Sequence, residues 1–168
     1  QALAAATPAM WPVAGGLTSH YGSRSDPFTG AVEFHAGLDI SAGSGQPVQA
    51  TADGKVLSAR WNGSFGNLVV IDHGFGISTR YGHLSRFAVV EGQQIRKGDP
   101  VGYVGSTGRS TSPHVHYELL LNGRPANPLR LLARCRFGSR RSPILRPALG
   151  LEYLDTRAGQ RMTIDTHP

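Results

Sequence analysis

The chain of 168 residues carries 17% charged residues, 22 glycines, 11 prolines and a formal net charge of +6. That length suits one domain with room for extensions, and so much Gly and Pro suits a turn-rich β protein better than a helical bundle. The basic excess lies mainly in the tail: residues 1–132 carry ten Lys/Arg against eight Asp/Glu, residues 133–168 seven Arg against three acids. A body so nearly balanced has no basic stripe to track phosphates, which argues against a nucleic-acid partner. No apolar run approaches the ~18 residues of a membrane span. Cys135 is the single cysteine, so an internal disulfide is excluded, and the thiol reads as incidental.

In chain order, residues 1–10 are rich in Ala, Thr and Pro and read as the end of a linker. Without an initiator Met they look like the interior of a longer precursor, from which an export signal would already be gone. Trp11-Pro12 opens the patterned part. Gly22 to Gly30 (GSRSDPFTG) reads as a surface loop. Short segments then follow closely, at 46–52, 54–60, 67–72, 77–83, 100–104 and 114–121. Each is rich in Val, Ile, Leu or Tyr and bounded by Gly, Asp, Asn or Pro, the pattern of a mainly β, compact antiparallel fold. Asp53-Gly54 and Asn122-Gly123 each stand between two such runs and predict hairpin turns. Residues 129–133 predict a short helical turn. From Arg134 neither alternation nor helical period continues, so residues 133–168 read as a flexible Arg-rich extension of unknown role.

The histidines carry the chemistry. His114-Val115-His116 opens a strand-like run, and residues two apart in a strand share a face, so both imidazoles reach one centre. One can hold a metal while the other faces the water on it. His35 and Asp39 are four apart, with Gly37 between them. That glycine, and Ile40-Ser41-Ala42-Gly43 after them, argue for an extended segment in which an even spacing again puts both on one side. Zinc takes imidazole nitrogen and carboxylate oxygen, and three protein ligands leave a fourth position for water. A His, Asp, His set with two histidines left over for proton work reads as a zinc hydrolase. His83 falls in phase with Tyr81 and Thr79. Beside a zinc site it becomes a candidate for holding an oxyanion or orienting the water. His73, in Asp72-His73-Gly74, reads as a surface residue, His20 as structural, and His167 as neither ligand nor catalyst.

The run FHAGLDI resembles the first zinc motif of the lysostaphin-type (M23) zinc metallopeptidases. TRYGHLS resembles their middle histidine motif and GRSTSPHVHYEL their His-x-His motif. TADGKV, GNLVVIDHG and EGQQIRKGDPVGYVGSTG resemble the family in order and spacing, so the likeness covers residues 11–132. It implies a two-layer antiparallel β core with a groove, and zinc-dependent endopeptidase action on the peptide stems of peptidoglycan. It makes His35, Asp39 and His116 the Zn2+ ligands, His114 the general base and His83 its catalytic partner. The ion would supply water activated near neutral pH. His114 would take the proton and return it to the leaving amine, with His83 at the oxyanion. SRSDPFTG followed by EFHAGLDI is most similar to Gram-negative members, which favours the D-alanyl–diaminopimelate cross-link over glycine bridges. The resemblance places the protein outside the cytoplasm, in the periplasm or cell envelope.

Three rival readings compete with this one. A catalytically inert relative that binds the wall and activates another hydrolase would be expected to have lost zinc ligands, whereas all are present here. EGQQIRKGDPVGYV also resembles the hairpins of biotinyl and lipoyl carriers, but Lys55 lacks their flanking pattern and a carrier needs no placed histidines. Plain wall binding predicts indifference to chelator. The domain is expected to span residues 11–132, so truncation after residue 133 should leave it folded and active.

Overall fold

The computed structural model describes residues 2–26 and 29–132. After a helical turn, α1 (Leu3–Ala6), come β1 (Gly16–Ser19), β2 (Gly22–Ser25), β3 (Val32–His35), β4 (Leu38–Ser41), β5 (Pro47–Gln49) and β6 (Gly54–Trp61). A 3-10 turn (Gly63–Phe65) leads to β7 (Asn67–Gly74), β8 (Ile77–Leu84), β9 (Arg86–Phe87), β10 (Gln94–Ile95), β11 (Pro100–Tyr103), β12 (His114–Leu121), β13 (Arg124–Ala126) and α2 (Leu129–Leu132). The large sheet runs in the order β1-β4-β12-β8-β7-β6-β10 with β13 beside β12; β5-β11-β9 form a second sheet and β2-β3 a separate hairpin. The strand pairs are antiparallel, as expected from sequence.

The two sheets share one core because their apolar residues alternate. Val56, Val69, Ile71, Tyr81, Val115 and Tyr117 of the large sheet meet Val48 and Val101 of the small one, all buried. Each such side chain contributes about 1.5–3 kcal/mol through burial. Tyr81 and Tyr117 are cross-strand partners whose hydroxyls need partners of their own. Thr51 supplies them: its backbone N–H donates to Tyr81 Oη at 3.0 Å, and its Oγ1 lies 2.9 Å from Tyr117 Oη. The central strands β8 and β12, which carry three of the five chemical side chains, are thereby held rigid from behind.

Asn122-Gly123 makes the expected hairpin between β12 and β13, with φ of 49° and 76°, the left-handed pair that a two-residue turn requires. Asp53-Gly54 does not. The strands on either side of it belong to different sheets, β5 pairing with β11 and β6 with β7 and β10. Long-range bonds outweigh the local turn: Asp53 Oδ1 accepts from the Lys97 N–H at 2.8 Å, and the Asp53 N–H donates to the Ala5 carbonyl at 3.0 Å.

Two other expectations need correction. Gly22 to Gly30 is no simple loop, since β2 pairs with β3 from Gly22↔His35 to Ser25↔Val32. The strand was hidden because this hairpin covers no core and so lacks apolar alternation. His73 is buried, 1% exposed, and not a surface residue. Its ring is held by the Asp53 carbonyl at 2.7 Å and Thr79 Oγ1 at 2.8 Å, and burial pushes its pKa down. Residues before Trp11 dock on the domain through buried Ala6 and an Ala9 N–H bond to the Thr51 carbonyl at 3.0 Å. Lys55 sits within β6 opposite Asp72, not in the exposed turn that a carrier domain requires. Residues 133–168, with Cys135 and His167, lie outside the described residues.

Candidate metal centre

β12 lies between β4 and β8, with His116 opposite Asp39 on one side and opposite Gly82 on the other. Val115 and Tyr117 point into the core, so the pleat turns His114, His116 and Glu118 to the opposite face. Asp39 Oδ1 stands 2.8 Å from His116 Nδ1. His35, at the end of β3, brings Nε2 to 3.1 Å from His116 Nδ1 and 3.2 Å from Asp39 Oδ1. Gly37 allows this approach: a Cβ there would stand 2.4 Å from the Tyr117 carbonyl oxygen and 3.1 Å from His116 Cε1.

These three residues form the one metal-competent cluster among the described residues. Tetrahedral zinc with bonds of 2.0–2.1 Å separates its ligand atoms by about 3.3 Å, close to this triangle. The outward nitrogens are already committed. His35 Nδ1–H donates to the His20 carbonyl at 2.8 Å, and His116 Nε2 lies 3.0 Å from Glu118 Oε1. Both inward nitrogens can therefore present lone pairs to one point, and the residues fit a zinc ion. The outer oxygen of Asp39 accepts from Arg24 Nη1 at 2.9 Å.

Electrostatics follow from this packing. Burial raises the Asp39 pKa, but hydrogen bonds from His116 and His35 outweigh it and hold the carboxyl ionised well below the usual range. Burial depresses His116, yet Asp39 and Glu118 on its two sides lift it to about 9. Without metal the ring is thus an imidazolium between two carboxylates. Since a metal ligand must give up its proton, zinc binding at pH 7 is expected to release about one proton per ion, fading above pH 9. Calorimetric titration in two buffers of different ionisation enthalpy measures this; equal heats in both would contradict it.

A groove of about 480 Å³ opens over the triad, with His83, His114, Phe65, Arg24, Glu33 and Arg109 in its walls. Arg109 pairs with Asp26 and Glu33, tying the segment before His114 to the β2–β3 hairpin across from it. His114 Nδ1–H donates to the Ser112 carbonyl at 2.7 Å, which leaves Nε2 unprotonated in the neutral ring, 3.7 Å from Asp39 Oδ1.

His83 reaches the same face by a route that alternation does not predict. In phase with core-facing Tyr81, it would enter the core, but its φ of 60° takes it out of the ladder. Its ring centroid lies 4.6 Å from that of His114 and 5.9 Å from that of His116. Its Nδ1–H donates to the Thr107 carbonyl at 2.8 Å, and burial pushes its pKa down to about 4. The neutral ring therefore offers an acceptor at Nε2. Orienting a water suits it, whereas holding an oxyanion would require a second proton.

All five residues singled out from sequence thus converge, and His20 contributes only its backbone carbonyl. Glu118 and Arg24 were missed. For Glu118 a signal existed, because the period of two that joins His114 to His116 continues to it. Arg24 lay in the stretch read as a loop.

Residues 33–128 match the family model for Peptidase family M23, and the chain belongs to that family. It is 45% identical over 113 residues to the DD-carboxypeptidase/endopeptidase Mpg of Neisseria meningitidis, 67% of this chain and 26% of that protein. To the peptidoglycan DD-endopeptidase ShyA of Vibrio cholerae it is 44% identical over 107 residues, 64% of this chain and 25% of that protein. The crystal structure of a zinc-containing peptidase from Vibrio cholerae superposes with a TM-score of 0.67 at 38% identity, covering 72% of this chain and 39% of that one. The two-layer β fold with a groove expected from sequence is the one observed. The chain spans about a quarter of the length of the curated relatives it matches.

Proposed function

We propose that this domain is a zinc-dependent endopeptidase that hydrolyses peptide cross-links of peptidoglycan, at the bond between D-alanine and diaminopimelate. The observation that carries the reading is the convergence of His35, Asp39 and His116 on one point beneath a groove walled by His83 and His114. Names of the relatives Mpg and ShyA, both carrying the DD designation, support the D,D bond. So does the likeness of the segment before His35 to Gram-negative members. Such a role places the protein in the periplasm or cell envelope; no helix among the described residues is long and apolar enough to cross a membrane.

Zinc held by His35, Asp39 and His116 would supply Lewis-acid polarisation of the peptide carbonyl and activation of water near neutral pH. The chain's own residues do the rest. Nε2 of His114, its other nitrogen bound to the Ser112 carbonyl, takes the proton of the attacking water and returns it to the leaving amine. Nε2 of His83 accepts a hydrogen bond from that water and fixes its approach. Arg24 keeps Asp39 oriented, and the Arg109 pairs hold the two groove walls in register.

Incubation of cross-linked muropeptides with the purified protein, followed by mass analysis, tests the reading. Monomers should appear, chelator should stop them and added zinc should restore them. Intact cross-links with zinc bound would favour instead the inert, wall-binding relative. The domain itself is assigned to residues 11–132. A chain ending at residue 133 is expected to keep its melting temperature, zinc and activity, and loss of any of these would give the tail a role in the domain.

A further inference from the structure

A metal takes one proton from the His116 ring, and two carboxylates are then in reach of the proton that remains. Asp39 Oδ1 stands 2.8 Å from Nδ1 and Glu118 Oε1 stands 3.0 Å from Nε2. Only one of the two tautomers leaves a lone pair facing His35 and Asp39. With the proton on Nδ1, the ring would donate to Asp39 and turn its lone pair toward Glu118, closing the site to a metal. Accepting the proton on the Nε2 side is therefore a distinct task, and Glu118 is placed for it.

We infer that Glu118 is a positioning residue that holds the His116 proton on Nε2 and so aims Nδ1 at the metal. The inference rests on the zinc reading above. Three observations carry it. Glu118 is 2% exposed, so its hydrogen bonds face little competition from water. It lies two residues beyond His116 on β12, on the same face, so the strand itself sets the distance. Its second oxygen accepts from Arg80 Nη1 at 3.0 Å, and Arg80 is its cross-strand partner on β8. The guanidinium fixes the rotation of the carboxylate, so that Oε1 remains turned to the ring. Arg80 in turn lies 6.0 Å from the centre of the Phe65 ring, which packs against His116 at 5.5 Å. Carboxylates behind metal-bound imidazoles fix tautomer and ring orientation in this way, and losing them typically weakens metal binding 10–100-fold.

Chelator competition on the full chain, with zinc as the probe, measures the effect. Glu118→Ala is expected to raise the zinc Kd about 10–100-fold. Glu118→Gln keeps a neutral acceptor for Nε2–H and should fall between it and wild type. Long-range 15N NMR of zinc-loaded wild type should place the proton on Nε2 of His116 and the metal at Nδ1. A purely structural role would lower the melting temperature and leave the zinc Kd of the folded protein unchanged. An unchanged Kd in Glu118→Ala, or coordination through Nε2, overturns the inference. If Glu118→Ala does not fold, the isosteric Gln variant decides, and a wild-type Kd there overturns it equally. Wild type that binds no zinc overturns the metal reading and this inference together; wild type that binds zinc beside an indifferent Glu118→Ala overturns this inference alone.

Discussion

A His116→Ala chain is expected to lose its zinc to background and, with it, its hydrolytic activity, while remaining folded. His116 supplies one corner of the donor triangle, and the two remaining donors, His35 Nε2 and Asp39 Oδ1, cannot complete the three-ligand set. The fold should survive because the stranded carboxylates keep other partners: Arg24 for Asp39 at 2.9 Å and Arg80 for Glu118 at 3.0 Å. Each still loses a buried hydrogen bond, so a destabilisation of about 1–3 kcal/mol is expected in the metal-free state. A pH signature accompanies it. In metal-free wild type the His116 pKa stands raised from 6.5 to about 9, so the stability it contributes is fully present below pH 6.5 and is lost as pH rises through 9. His116→Ala should lack that slope. Metal analysis after gel filtration and thermal melts across pH 6–10 check both outcomes. Full zinc occupancy in this variant would remove His116 from the ligand set.

His114→Ala should do the opposite, keeping zinc and losing turnover by roughly 10²–10⁴-fold, the usual scale of general acid–base help. The two histidines share a strand face but not a task. His116 places a ring nitrogen within 2.8 Å of Asp39 Oδ1, whereas the nearest nitrogen of His114 is 3.7 Å away. The His114 proton is held on Nδ1 by the Ser112 carbonyl, and Nε2 is left for a substrate water. Zinc content and muropeptide turnover, measured on the same preparation, separate the roles. Loss of zinc from His114→Ala but not from His116→Ala would exchange the two assignments, and full activity in His114→Ala would end its role as base.

Much of the site was legible because strand geometry is local. A period of two puts His114 and His116 on one face whatever the rest of the chain does, and the same rule, carried one step further, reaches Glu118. Asn122-Gly123 could be read as a hairpin for an equally local reason, since two left-handed residues close the turn by themselves. Where long-range bonds compete, local reading failed. Asp53-Gly54 has turn chemistry, but its backbone and side chain are taken by Ala5, His73 and Lys97. The β2–β3 hairpin has no apolar stripe because it walls a groove rather than a core, and so it passed for a loop.

Residue types and spacing by themselves determined a β-rich chain with a His, Asp, His donor set and two further histidines. The tertiary structure decided which nitrogen of each ring faces the centre: carbonyls distant in sequence hold His35 (His20) and His83 (Thr107), whereas His116 and His114 are held by groups two residues away, Glu118 and Ser112, once the fold has set the rings against the groove. It also showed how His83, already singled out from sequence, reaches the groove, through a φ of 60° that breaks the strand alternation. A ring's identity is written in one position of the chain, but the location of its proton is set by whichever groups the fold packs against it.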